Sequence, residues 1–398
     1  MKFVSLKRFN CACMLAMSIM FAGLTPLSVM AASTTSSSSN HIQRQPVSTN
    51  PLTVKVKPLF VHITSTAPRQ LHLRTYTRPE FTRPEFTRPE LKSGKKALAP
   101  IFTEYLIPTR LAESTGVTNG TDNTIWFSEV DGNKIGHVTS DGIFTEFALP
   151  AQSDARRIIA LADGTIWFTD LNNGKIEELV PTLSLLSIYS LPAGAKPFDI
   201  AIGAAGNIWI TDYAHNSIDR LSFTGNALTT FPLPTYKAQP LGIIAGADNA
   251  IWFTELDRNK LGRITPNGIT TEIPLPTFAS EPTGITLGTD SNIWFTEQAG
   301  NQIGRLDTQR AAVTEFPIPT AASRPLFLTS VGNPIGQIAF TEYNANKIGI
   351  VNTDGSINEY TVPTPDSGPY AITASSNNDI WFTEAHYKGN KIVRLNFK

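Results

Sequence analysis

The sequence predicts an all-β fold made of repeats, and three observations carry that reading. The phrase Ile-Trp-Phe-Thr-Glu, or a close variant, occurs seven times, at 125–129, 166–170, 208–212, 251–255, 293–297, 338–342 and 380–384. All six tryptophans occupy its second position, and Ala339 fills the seventh. Around each phrase lie three more short strand-like runs, punctuated by Gly, Asn and Asp, with no helical period. Four strands per repeat of roughly 40–50 residues is the pattern of a β-propeller blade. The prediction is a seven-bladed β-propeller of four-stranded blades over residues 101–398.

Each element of the repeat has a reason. Strand A reads like "PTGITLG", B is "IWFTE", C reads like "KLGRI" and D like "TEIPLP". Strand B is apolar on both faces because blades pack face to face, and its Trp is expected as a wedge between neighbours. A D-like run, "FTEYLIPT" at 102–109, precedes any A strand, while the last unit ends at its C strand, "NKIVRLNFK". The N-terminal strand is therefore expected to complete the seventh blade and close the ring.

The chain before the repeats reads differently. Residues 1–32 resemble a secretory signal: Lys2, Lys7 and Arg8, then an apolar run, then small residues that place cleavage after Ala31 or Ala32. An uncleaved membrane anchor is the alternative. Cys11 and Cys13, the only cysteines, lie in this segment, so the mature chain would have none and no membrane span. Residues 33–100 read as a disordered, basic Ser/Pro-rich linker, with "TRPEFTRPEFTRPEL" at 77–91 as an extended spacer or a docking motif. It carries 11 Lys and Arg against 3 Asp and Glu; the repeats carry 19 against 30. Such an acidic body argues against a nucleic-acid groove, which needs clustered cations. The expectation is a monomer in the periplasm or outside the cell.

The units "P-x-G-I-T-x-G … IWFTE … N-K-I-G-R-I … G-x-x-T-E-[FIY]-P-[LI]-P-T" resemble the streptogramin B lyase, or virginiamycin B lyase, family over residues 101–398. The resemblance implies a seven-bladed propeller that opens a cyclic depsipeptide antibiotic by elimination and needs a divalent cation such as Mg2+. It also implies histidines in the strand-A phrase "P-H-[AG]-I" of two late blades, one of them after "E-P", and a Glu in the last B–C loop. Elimination needs a base for the proton α to a carbonyl and an acid or metal to ease the leaving carboxylate.

Here the x of that phrase reads Thr115, Arg157, Phe198, Leu241, Thr283, Leu326 and Tyr370, with no histidine. "SEPTGI" keeps an acid, Glu281, beside Thr283. His215 and His386 lie in B–C loops instead, and His137 reads as a surface substitution for the Arg usual at its place. The weak catalytic candidates are therefore Glu281, His215 and His386. Arg157, Phe198, Tyr213, Tyr343, Tyr370 and His386 depart from the repeat at one end of the channel and suit a small peptide-like or aromatic ligand. The acids that close each B phrase are expected to accept local hydrogen bonds, with a metal ring as the alternative. Three functions remain open: a lyase-like binder without efficient turnover, an active streptogramin lyase with an altered site, and a protein-interaction platform.

Overall fold

The computed structural model describes residues 43–46, 52–55, 59–62 and 100–397, apart from 224–226, 333–335 and 353. The expected signal segment and the Thr-Arg-Pro-Glu-Phe repeat lie outside the described residues. No helix among those described is long and apolar enough to cross a membrane.

Seven antiparallel sheets follow one another in chain order. In blade 4, strands Pro240–Ala245, Ile251–Glu255, Lys260–Ile264 and Thr270–Pro274 lie side by side as A, B, C and D. The ring closes as expected. Strand C of blade 7, Lys391–Asn396, pairs with Ile101–Leu106, so the N-terminal strand supplies the missing D. Three four-residue strands of the 33–100 segment add a fifth strand outside three blades. Gln43–Pro46 pairs with blade 2, Leu52–Lys55 with blade 1 and Leu59–His62 with blade 7.

The core lies between blades. Trp209 of blade 3 is buried with Ile243, Ile251 and Phe253 of blade 4, and Trp294 of blade 5 with Leu328 and Phe340 of blade 6. On its own blade each Trp meets the residue opposite on strand C. In blades 3, 4, 5 and 7 that residue is Arg220, Arg263, Arg305 or Arg394, whose guanidinium stands 5.5–5.9 Å from the indole, and in blade 2 it is Glu178. His137 takes this place in blade 1, 4.5 Å from the Trp126 ring, so it is a packing residue rather than a bare surface substitution. Burial lowers its pKa. In blade 6 both partners are replaced, by Ala339 and Ile350. Strand C keeps a Gly where the Phe of strand B crosses it: a Cβ on Gly262 would lie 2.1 Å from the Phe253 ring.

A polar clamp explains the remaining motif. The Thr of each "P-[LI]-P-T" run reaches the Glu of the next blade's D strand. Thr235 donates its N–H to Glu272 at 3.1 Å, and Lys260 bonds both Glu272 (2.6 Å) and Thr235 (2.7 Å). Thr109, Glu146 and Lys134 repeat it, as do Thr320, Glu359 and Lys347. Charge-assisted bonds of this kind are roughly twice as strong as neutral ones.

Candidate functional site

Strands A line the centre of the ring. In six blades the A–B ladder shifts register just inside the first residue of A, which re-aims the two residues that follow. In blade 3, Pro197 faces Asp212 and Ile200 faces Ile210. In blade 2, Ala155 faces Asp170 and Ile158 faces Phe168. The variable slot of blade 2 is therefore Arg156, and Arg157 belongs to the Gly/Ala slot that follows. "DARRII" lacks the proline that anchors the phrase in blades 3 to 7, so the sequence admitted both alignments. The Thr or Ser of strand B confirms the assignment, because it donates to the slot's carbonyl on the next blade. Thr169 reaches Phe198, Thr254 reaches Thr283, Thr341 reaches Tyr370, and Ser128 reaches Arg156.

The Gly/Ala slot then reads Gly116, Arg157, Asp199, Gly242, Gly284, Phe327 and Ala371. Its three large residues meet. Arg157 Nε bonds Asp199 Oδ1 at 3.1 Å, and the guanidinium lies 4.1 Å above the Phe327 ring. Asp199 also accepts the N–H groups of Ile200 (2.9 Å) and Ile243 (3.3 Å). Blades 2, 3 and 6 thus join in a cation–π and ion-pair cluster across the centre.

That cluster extends toward the B–C loops. The Phe327 and Tyr370 rings are 5.2 Å apart, Tyr370 and Tyr343 6.3 Å, and the Arg324 guanidinium stands 5.6 Å from Tyr343. Gly368, at φ +61°, is pinched between Tyr343 and His386, where a Cβ would lie about 3 Å from each. Of the expected ligand residues, Arg157, Tyr343, Tyr370 and His386 are therefore drawn together. Phe198 is buried beside Asp199, and Tyr213 sits on the blade 3 B–C turn with His215. Phe327 was missed by sequence reasoning, although a large residue in a Gly/Ala slot was a visible signal.

The catalytic candidates lie on different blades. Glu281 precedes strand A of blade 5 and accepts a 2.9 Å bond from Gln298. His215 Nδ1 lies 2.6 Å from Oδ2 of Asp212. Asp212 is fully buried and its other oxygen accepts the N–H groups of Lys196 (2.9 Å), Ala214 (3.1 Å) and His215 (3.2 Å). His386 has its ring 4.2 Å from Tyr387.

The acids that close strand B split into two kinds. Asp170 and Asp212 accept hydrogen bonds from their own loops, as expected. The five glutamates do not: Glu129, Glu255, Glu297, Glu342 and Glu384 are fully buried with no well-formed bond to either oxygen. Burial and, after it, repulsion from Glu272 push Glu255 up to about 8. Glu342 is likewise pushed up to about 8 by burial and then by Glu359. Burial favours the protonated form of these glutamates. Burial would raise Glu272, but its bonds to Lys260 and Thr235 hold it below the usual range. Among the described residues no three His, Cys, Asp or Glu side chains group to hold a metal ion. Asp199, the acid at the centre of the ring, is taken by Arg157 and is not free to hold Mg2+.

A seven-bladed propeller with an elaborated channel end defines the class. The sequence profile of the virginiamycin B lyase family matches residues 92–201 and 152–398, and the chain belongs to that family. A solved streptogramin B lyase is 34% identical, with a TM-score of 0.71, covering 75% of this chain and 98% of that one. The virginiamycin B lyase of Staphylococcus aureus is 33% identical, with a TM-score of 0.70, over 75% and 100%. A catalytically inactive histidine-to-alanine variant of that enzyme, solved with quinupristin, matches equally. A virginiamycin B lyase of Bacillus licheniformis is 60% identical over 37 residues, 9% of this chain and only 12% of that relative's length.

Proposed function

We propose that this chain is an exported, monomeric member of the family that binds a small peptide-like or aromatic ligand at the channel mouth without efficient lyase turnover. One observation carries the reading. The variable strand-A slot, Thr115, Arg156, Phe198, Leu241, Thr283, Leu326 and Tyr370, holds no imidazole, and its neighbour slot is filled by the Arg157–Asp199–Phe327 cluster. A positioned base typically contributes roughly 10²–10⁴-fold. Flat rings and a guanidinium suit an aromatic, carbonyl-rich ligand instead.

Titration of the mature chain with quinupristin, read by calorimetry, tests the binding half. Binding weakened at least about tenfold by Tyr370→Ala, a loss of about 1.4 kcal/mol, supports the reading. Undiminished binding by Tyr370→Ala and Tyr343→Ala places the ligand elsewhere.

A second reading, an active lyase with an altered site, has one observation in its favour. Asp212 orients His215 as a carboxylate orients a general-base imidazole. Turnover that His215→Ala abolishes would establish it.

A further inference from the structure

Two ties recur at five of the seven junctions between blades. The first is the outer clamp, in which Thr109, Thr235, Thr277, Thr320 and Thr364 bond Glu146, Glu272, Glu315, Glu359 and Glu104. The second is the Asn that ends the B–C loop. Its Oδ1 accepts an N–H from the loop that enters the next blade. Asn390 takes it from Ala112 (2.7 Å), Asn216 from Ala238 (2.6 Å) and Asn259 from Ser280 (2.8 Å), and Asn301 and Asn346 do the same with Ser323 and Ser367. Both ties are missing on the two sides of blade 2. Ala151 and Ile188 fill the Thr and Glu places between blades 1 and 2, and Ala193 and Thr230 fill them between blades 2 and 3. Asn133 Oδ1 bonds no described residue, and Gly174 replaces the next Asn.

Ion pairs at the channel stand in their place. Among the described residues, the ion pairs between blades fall at these same two junctions. Arg156 Nη1 lies 3.6 Å from Glu113 Oε1 of blade 1, and Arg157 Nε lies 3.1 Å from Asp199 Oδ1 of blade 3. The remaining pairs lie within single blades and their own loops. Two consecutive arginines thus hold blade 2 from the inside, one on each flank. Arg157 also reaches a blade that is not its neighbour, with its guanidinium 4.1 Å from the Phe327 ring of blade 6. Parting these pairs into the channel returns the charges to water, so such ties can break and re-form.

We infer that blade 2 is the moving part of the ring. It parts from blades 1 and 3 as a unit, carries Arg157 away from Asp199 and Phe327, and so opens the channel mouth. What the mouth admits rests on the function proposed above; the motion does not, and it is tested without ligand.

The hydroxyls of strand B sit at the junctions. Ser128 bonds Arg156 of blade 2, Thr169 bonds Phe198 of blade 3 and Thr254 bonds Thr283 of blade 5, and all three donors are fully buried. The chain after residue 32 has no cysteine. Each of Ser128→Cys, Thr169→Cys and Thr254→Cys therefore puts one buried thiol at one junction of the full mature chain, and its alkylation rate reads how often that junction opens. Thr169→Cys should react about tenfold or more faster than Thr254→Cys, and Ser128→Cys, on the other flank of blade 2, should match Thr169→Cys. Adding Arg157→Ala should speed Thr169→Cys by at least about tenfold more than it speeds Thr254→Cys. Equal rates at Thr169→Cys and Thr254→Cys, a slow Ser128→Cys, or an equal response to Arg157→Ala overturns the inference. Hydrogen exchange on the chain without cysteine guards against misfolded variants. A blade parted from its neighbours loses the packing that protects its ladder. Strand B of blade 2, Ile166–Asp170, should then exchange about tenfold or more faster than strand B of blade 4, Ile251–Glu255, although both are fully buried. Equal exchange overturns it too.

Discussion

In blade 4, Glu272 takes the N–H of Thr235 and the ammonium of Lys260, binding blade 3 to blade 4. One junction earlier the same places read differently. Ala193 stands where the Thr would be, Thr230 where the Glu would be and Ser217 where the Lys would be. An acid reappears on strand C as Asp219, in the slot that Gly262 fills in blade 4. Blade 2 changes in concert, with Ala151, Ile188 and Glu177. The Thr and Glu of the clamp are therefore kept or lost together, as expected if each is useful only with its partner, while the third place varies: blade 2 keeps Lys175 without them and blade 5 has Gln302 with them. Blades 2 and 3 also supply Arg157, Asp199, Phe198 and His215. Blades 6 and 7 keep the clamp and yet supply Phe327, Tyr343 and Tyr370, so the clamp was rewritten only on the Arg157–Asp199 side of the channel.

The largest expected effect lies in the scaffold. Trp252→Ala should lower stability by about 3–5 kcal/mol, the range for a buried aromatic, because Trp252 is buried against Phe295 and Ile293 of blade 5. Urea melts that agree within about 0.5 kcal/mol would remove the wedge role. In the specialised region, Arg157→Ala leaves Asp199 buried without its partner and should cost about 3 kcal/mol. The double variant Arg157→Ala with Asp199→Ala should recover part of it. No recovery would mean that the pair is not coupled.

The buried glutamates make a pH prediction. Glu255 keeps its proton in the fold up to about 8, whereas the unfolded chain releases it near 4.5. Its contribution is complete below about 4.5 and is lost as pH rises through about 8. Thermal stability should therefore fall from pH 6 to pH 9, and Glu255→Gln should flatten that fall by up to about 1 kcal/mol per pH unit. An unchanged slope would place the titration elsewhere. The smallest effect sharpens the comparison directly. Ala193→Thr restores one clamp residue without its partners and should change stability by less than about 0.5 kcal/mol. A clear gain would mean that the clamp is not cooperative.

The propeller was legible because its signal is repeated: seven phrases, six tryptophans and a displaced D strand leave one ring closure. The site was legible only in part. Arg157, Tyr343, Tyr370 and His386 stood out as departures from the repeat, and they do converge. Arg157 was placed one slot early because Ala155 replaces the anchoring proline. Phe327 went unnoticed because an apolar residue in an apolar strand looks ordinary until its slot is known to be small. Residues 33–100 read as a linker because four-residue runs such as Leu-Thr-Val-Lys carry no pattern of their own.

The most direct test of the central claim is turnover. Purified mature chain is incubated with a group B streptogramin and Mg2+, then followed by chromatography and fragmentation, since elimination linearises the ring without changing mass. The account predicts an intact ring after a time in which a family lyase opens it completely, even though the chain binds the compound. Ring opening at a rate comparable to that lyase would contradict it, and loss of that activity in His215→Ala or His386→Ala would identify the base.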